Sequence, residues 1–296
     1  MSTASVGGAA ASGTVLTTSS GRAYLDVVEQ YRQAMAALSR AAVAAILSLW
    51  AEVDKDAMTW RRWPGEPAEY WVVPAYEVIE IFRSYAHQTT LNYLSRIREL
   101  EIGSQLPDDV VPELEKLPEV QLTKSLSFVG RGVEQEVMKR QGIPAATPRS
   151  EVPQVVLREA ADRSQALIVG KTTRFVQEAA RSTVVNVVKR DKRAVAWMRV
   201  TDADPCYFCA MLASRGAVYD TERVATFING IRGDQYHDHC NCIAVPIYSH
   251  DAPMPDETLE YAQMWKTSTK GYSGRAARNA FRSAFEQAKR DRAQGA

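Results

Sequence analysis

Cys206-Tyr-Phe-Cys209 and, about thirty residues on, His237-Asp-His239-Cys240-Asn-Cys242 contain all four cysteines of the 296-residue chain. Two turns that each offer two sulfurs, with imidazoles beside the second, are what a tetrahedral zinc site needs. The candidate ligands are Cys206, Cys209, His237, Cys240 and Cys242. Four thiolates, or three thiolates and one imidazole, would close the tetrahedron and leave no open position, so the expected cofactor is structural zinc.

Around these turns the chain has short β-like runs, Val195 to Val200, Ala217 to Tyr219 and Ile243 to Tyr248. Strands bracketing cysteine turns suggest a small α+β module over residues 191–250. Upstream, Tyr24, Val27, Val28, Tyr31, Met35, Leu38, Ala42, Ala45, Ile46 and Leu49 recur at the three-four spacing of a helix face. An aromatic, proline-rich connection holding Trp60, Trp63 and Trp71 follows. A second helix is predicted from Pro74 to Leu100, a third from Thr123 to Gln141, and a fourth from Val155 to Lys189.

The expected fold class is therefore α+β and mostly α-helical: an elongated N-terminal helical region, residues 22–190, followed by the small module. Residues 1–21 lack both a basic start and a sustained apolar core, and they read as a flexible arm rather than an address. Residues 251–296 read as a linker and a final helix from Gly274 to Gln294, the most basic element of the chain.

Composition narrows the function classes. The 36 basic and 35 acidic residues nearly cancel, so whole-chain charge provides no general attraction to nucleic acid or anionic lipid. No apolar run approaches the roughly 20 residues of a membrane span, and no membrane partner is expected. Synthesis in a reducing cytoplasm favours thiolates on a metal over disulfides.

Several motifs bear on enzyme chemistry. Gly170-Lys171-Thr172 ends like a phosphate-binding loop, but Gln165 stands where the first glycine belongs and no strand precedes it. His87 reads as a partly buried helix histidine. Arg131, Lys139, Arg140, Arg181, Lys189, Arg190, Lys192 and Arg193 read as solvated helix faces. A metal-dependent nuclease built on His237 and His239, oriented by Asp238 or Asp234, would need a downstream Asn or His on a short helix, which His250 and its proline-rich sequel do not supply. A serine protease would need a setting such as G-x-S-x-G, which is absent. The expectation is a protein without enzymatic activity.

The ordered set Trp197-Met-Arg-Val200, Asp202, Asp204-Pro-Cys206-Tyr-Phe-Cys209-Ala-Met-Leu212, Gly216, then Tyr236-His237-Asp-His-Cys240-Asn-Cys242 and an apolar strand resembles the phage Mu protein F-like (MuF-like) domain. The likeness covers about residues 195–248, with Gly216, His237, Cys240 and Cys242 on the family's glycine, histidine and paired cysteines. Texture upstream and downstream is similar to the actinobacteriophage members. The resemblance implies a minor capsid protein of a tailed phage, acting in head morphogenesis inside the virion and made in the host cytoplasm. It implies the portal protein as a partner, with scaffold or major capsid protein as further candidates. The basic final helix suggests sequence-blind contact with packaged DNA. The alternatives are the nuclease, a capsid maturation protease, or a DNA-binding protein of packaging or ejection.

Overall fold

The computed structural model describes residues 19–53, 69–126, 128–216, 227–228, 231–232, 238–249 and 251–295. Trp60, Trp63, His237, His250 and the Ala217 to Tyr219 run lie outside them, as does most of the N-terminal arm. Among the described residues the fold is mostly helical, with eight α-helices and two small antiparallel strand pairs.

Helix α1 (Ser19–Ala51) buries Tyr24, Val27, Val28, Tyr31, Met35, Ala42, Ile46 and Trp50 along one stripe. It is also long and apolar enough to cross a membrane by length and composition, with an 18-residue window of mean hydropathy 1.6, which the sequence reading had not recognised. Its buried stripe fills the protein core, and alanines at 37, 41 and 44 on the exposed side supply much of the remaining apolar character. Of that window 28% is buried, the part that faces the core.

Helix α2 (Glu69–Ile102) begins before Pro74 and carries that proline inside its first turns. As the sixth helical residue, Pro74 lies just past the four unpaired N–H groups of the first turn and forgoes one bond, to the carbonyl of residue 70. Trp71 is buried and meets Trp50 edge-on, ring centroids 5.0 Å apart.

The single helix expected over Thr123 to Gln141 is two, α3 (Glu119–Leu126) and α4 (Arg131–Arg140). They are separated at Gly130, whose φ of 89° no helix contains. Among the described residues, the region before residue 190 thus has five helices rather than four.

Helix α5 (Gln154–Arg190) is the centre of the fold. Its C-terminal half is buried nearly all round, from Thr172 through Phe175, Ala179 and Val184 to Val188. A helix apolar on every side needs neighbours on every side. It has them: α1, α2, α3, α4 and both strands of a β hairpin-like pair pack against it. That pair is β1 (Ala196–Val200) and β4 (Ile243–Ile247), antiparallel with Ala196 opposite Ile247 and Val200 opposite Ile243. All ten residues are buried.

One core cluster joins Tyr31, Met35 and Ile97 from the helices to Met198, Val200, Val245 and Ile247 from the strands. A second joins Leu94 and Val184 to Trp197 and Ala244. Apolar packing is thus continuous across residue 190.

Two further helices were not read from the sequence. Helix α6 (Tyr207–Ala213) is short, and α7 (Asp256–Ser268) precedes α8 (Gly274–Gln294). Phe281 and Phe285 of α8, with Tyr261 of α7, bury Met211 and Leu212 of α6. The final helix is part of the packed fold, and its arginines lie mostly on the exposed side. The two-residue strands β2 (Phe227–Ile228) and β3 (Ile231–Arg232) pair antiparallel. The intervening Asn229-Gly230 is a strong hairpin dipeptide that the sequence reading passed over.

Candidate metal centre

The pairing of β1 with β4 brings the two cysteine turns together. Leaving β1, the chain turns through Thr201 to Pro205 and enters α6, with Cys206 as the N-cap and Cys209 buried one turn later. Cys240 and Cys242 lie just before β4, beside the end of β1 to which Ile243 pairs.

The sulfurs of Cys209, Cys240 and Cys242 lie within 4.8 Å of one another, and Cys209 Sγ and Cys240 Sγ are 3.5 Å apart. A tetrahedron with Zn–S bonds of about 2.3 Å has ligand-to-ligand edges of roughly 3.8 Å. Three buried thiols at this separation could hold a metal. Cys206, partly buried, packs against the three, and none of the four forms a disulfide.

With protons in place of a metal, the cluster shares them unequally. Hydrogen bonds from Cys209 and then Cys242 hold Cys240 far below the usual thiol range, with Arg181 and Arg199 adding to the effect. Hydrogen bonds with Cys206, Cys240 and Cys242, and then burial, push Cys209 far up. A metal bound among these sulfurs would displace the protons that they share.

Two arginines flank the cluster. Arg181 of α5 is 5% exposed and donates from Nη2 to the carbonyl oxygens of Cys240 and Cys242, both at 2.7 Å, and to Cys240 Sγ at 3.6 Å. Its Nε also donates to Cys242 O at 3.0 Å. Arg199 of β1 is 1% exposed, and its Nη1 lies 3.6 Å from Cys209 Sγ. The sequence had placed Arg181 on a solvated face. It is instead buried against the second cysteine turn, because α5 is enclosed on all sides.

The second turn is seated on α5 by a glycine. His239 has φ of 68°, and its backbone N–H donates to Gly170 O at 3.4 Å. A Cβ at Gly170 would lie 2.7 Å from His239 Nε2 and 2.8 Å from Asp238 Cβ. The Gly-Lys-Thr triplet therefore lies inside a helix and serves close packing. Asp238 pairs with Arg174 at 3.7 Å, Asn241 N–H donates to Asp202 at 3.3 Å, and His239 is exposed.

Among the described residues, Cys209, Cys240 and Cys242 are the one group of three His, Cys, Asp or Glu donors that converges tightly enough for a metal. Neither Cys206 nor His239 is in it, Cys206 packing at its edge, and His237 lies outside the described residues. Arg199 and Gly170 were missed by sequence reasoning. Arg199 lies within the quoted Trp197 to Val200 run, but nothing in a strand sequence says which side chain faces a cluster formed by later residues.

The VG15 protein family model matches residues 24–268. The chain belongs to this family. The match runs from Tyr24 in α1 to the last residue of α7, so it takes in the cysteine centre and the helices that hold it. VG15 is a phage-associated viral gene family, which makes this a phage protein. No curated protein and no solved structure matches the chain.

Proposed function

We propose that this VG15 protein is a structural minor capsid protein of a tailed phage, held inside the head and associated with the portal, with zinc in its cysteine centre. The observation that carries the reading is the convergence of the C-x-x-C turn and the C-x-C turn across β1 and β4. This is the arrangement that the resemblance to MuF-like domains requires, within a chain of a phage-associated family.

Zinc is favoured over other metals by the donor set, since sulfur-only tetrahedral sites suit it and the cytoplasm supplies it. Among the described residues nothing in the centre offers an open coordination position together with a general base, so in this reading its role is to staple the fold. The chain has no enzymatic activity in this reading. Asp238, which a nuclease would use to orient a histidine, instead faces Arg174.

Attachment falls to the helical region. Trp71 is buried and unavailable to a partner, but Ile81 and Tyr85, one helical turn apart on α2, are 51% and 56% exposed, with Val73 further along. Large apolar side chains exposed in a row are typical of interface cores. Contact of α8 with packaged DNA would be secondary and strongly salt-dependent.

The test is mass spectrometry of purified virions with copy counting, combined with chemical crosslinking. A few copies per particle, crosslinked to the portal through α1 or α2, are expected. Absence from virions, or crosslinks only to non-structural proteins, would overturn the reading.

A further inference from the structure

We infer that Cys206, rather than His237, completes the metal site, and that Arg181 and Arg199 are positioning residues that donate to the second cysteine turn and to two of the sulfurs. This rests on the zinc reading above: the sequence takes Cys206 as a ligand and leaves Cys242 or His237 as the fourth, and the convergence of Cys209, Cys240 and Cys242 settles Cys242 into the cluster and moves the open place to Cys206.

The argument turns on which sulfurs receive N–H donors. Cys206 Sγ accepts the backbone N–H of Cys209 at 3.4 Å. Cys240 Sγ accepts from Arg181 and Cys209 Sγ from Arg199, both at 3.6 Å. A neutral thiol is a poor acceptor, whereas a thiolate accepts such bonds well and is the form that binds metal. Three sulfurs, each on its own donor, form an outer shell suited to a thiolate set. Cys206 is one of them.

Charge supports the same reading. Two guanidiniums that cannot lose their protons are nearly buried at hydrogen-bond distance from sulfur. Buried cations need anions close by. A zinc ion with four thiolates carries two negative charges beside the two guanidiniums, with the Asp202 carboxylate a further anion near Cys240 and Cys206. A set with one imidazole carries a single negative charge and leaves the Cys206 sulfur, with its own donor, outside the site.

Cys206 also has a structural role as the N-cap of α6, and one substitution separates the two. Serine is a preferred N-cap residue but a poor zinc ligand. Cys206→Ser should therefore keep α6 and lose a metal bond.

The experiment uses the full chain, reduced and loaded with Co²⁺ as a spectroscopic stand-in for zinc, because sulfur-to-cobalt charge-transfer absorbance grows with the number of Co–S bonds. Helical circular dichroism is recorded on every variant. Wild type should show the absorbance of four bonds, Cys206→Ser about three-quarters of it, and His237→Ala no change. Arg181→Lys and Arg199→Lys should keep the band while lowering metal affinity about 10- to 100-fold, read by competition with a chelator.

If wild type binds metal while Cys206→Ser keeps the full band and His237→Ala reduces it, this inference is overturned and zinc stands. If folded, reduced wild type binds no metal, the zinc reading itself fails. Unchanged metal affinity in both folded lysine variants removes the positioning role. If those variants unfold, the Cys206 and His237 pair still decides the ligand set.

Discussion

Arg181 on the central helix and Cys240 on the second cysteine turn are joined twice, through the Cys240 carbonyl oxygen at 2.7 Å and its sulfur at 3.6 Å. The metal centre and the helical core are therefore one structure. Metal bound at the cysteines would fix the turn that Arg181 grips, and packing around α5 would fix Arg181.

The first prediction concerns autonomy. A fragment of residues 191–250 would expose the faces of Met198, Val200, Val245 and Ile247 that α1, α2 and α5 cover in the full chain. It also lacks Arg181. Expressed alone with zinc present, it should give dispersionless amide spectra and no cooperative thermal transition. A cooperative transition in the fragment would show that the centre is an independent folding unit.

The second concerns Gly170. Alanine in a helix interior gains about 1 kcal/mol over glycine, but here its Cβ would lie 2.8 Å from Asp238 Cβ, an atom fixed to the backbone of the turn. Overpacking costs roughly 1–3 kcal/mol, so Gly170→Ala should be destabilising by about 1 kcal/mol in denaturant unfolding. A stabilised variant would show that the turn moves away freely.

The third concerns α8. Phe281 is fully buried against Trp265 and Phe285 and helps to cover α6. Phe281→Ala should cost about 3–5 kcal/mol, and truncation at residue 273 should be at least as damaging. Measured by thermal unfolding, a truncated chain with unchanged stability would return α8 to the status of a dispensable tail.

The fourth is a pH dependence. Glu101 of α2 accepts the backbone N–H groups of Tyr248 and Ser249, both at 3.0 Å, and burial pushes its carboxyl up to about 7 from an ordinary 4.5. The folded chain then holds a proton that the unfolded chain has lost between about pH 4.5 and 7. Stability contributed by this group is complete below that window and declines as pH rises through it. Discounted for partial solvent access, the loss is roughly 1–2 kcal/mol. Between pH 5 and pH 8 the wild-type chain should lose that much in urea unfolding, and Glu101→Gln should flatten the profile. An unchanged slope in the variant would place the titration elsewhere.

Much of this architecture is written in local pattern. The stripe from Tyr24 to Ile46 sets the core face of α1, and Gly274 to Gln294 is helical as expected. The cysteine spacings announce two turns that meet. What the sequence obscured depends on contacts made at long range or on single backbone angles. Gly130 splits α3 from α4 by a positive φ, which looks like any other glycine in a helical pattern. Helix α6 has one turn fewer than periodicity needs to show itself, and α7 carried a readable start, Pro255-Asp256-Glu257, that went unused. Arg181 resembled the solvated arginines around it, since its partners lie about sixty residues away.

The central claim is that a metal staples the cysteine centre, and its most direct measurement is metal content. The full chain, purified under reductant and without chelators or an affinity metal, is examined by elemental analysis and by native mass spectrometry. The account predicts one zinc per chain, lost on acidification as the thiolates take up protons and regained on neutralisation as they release them. A folded, fully reduced chain without metal, and unable to take up added zinc, would contradict it.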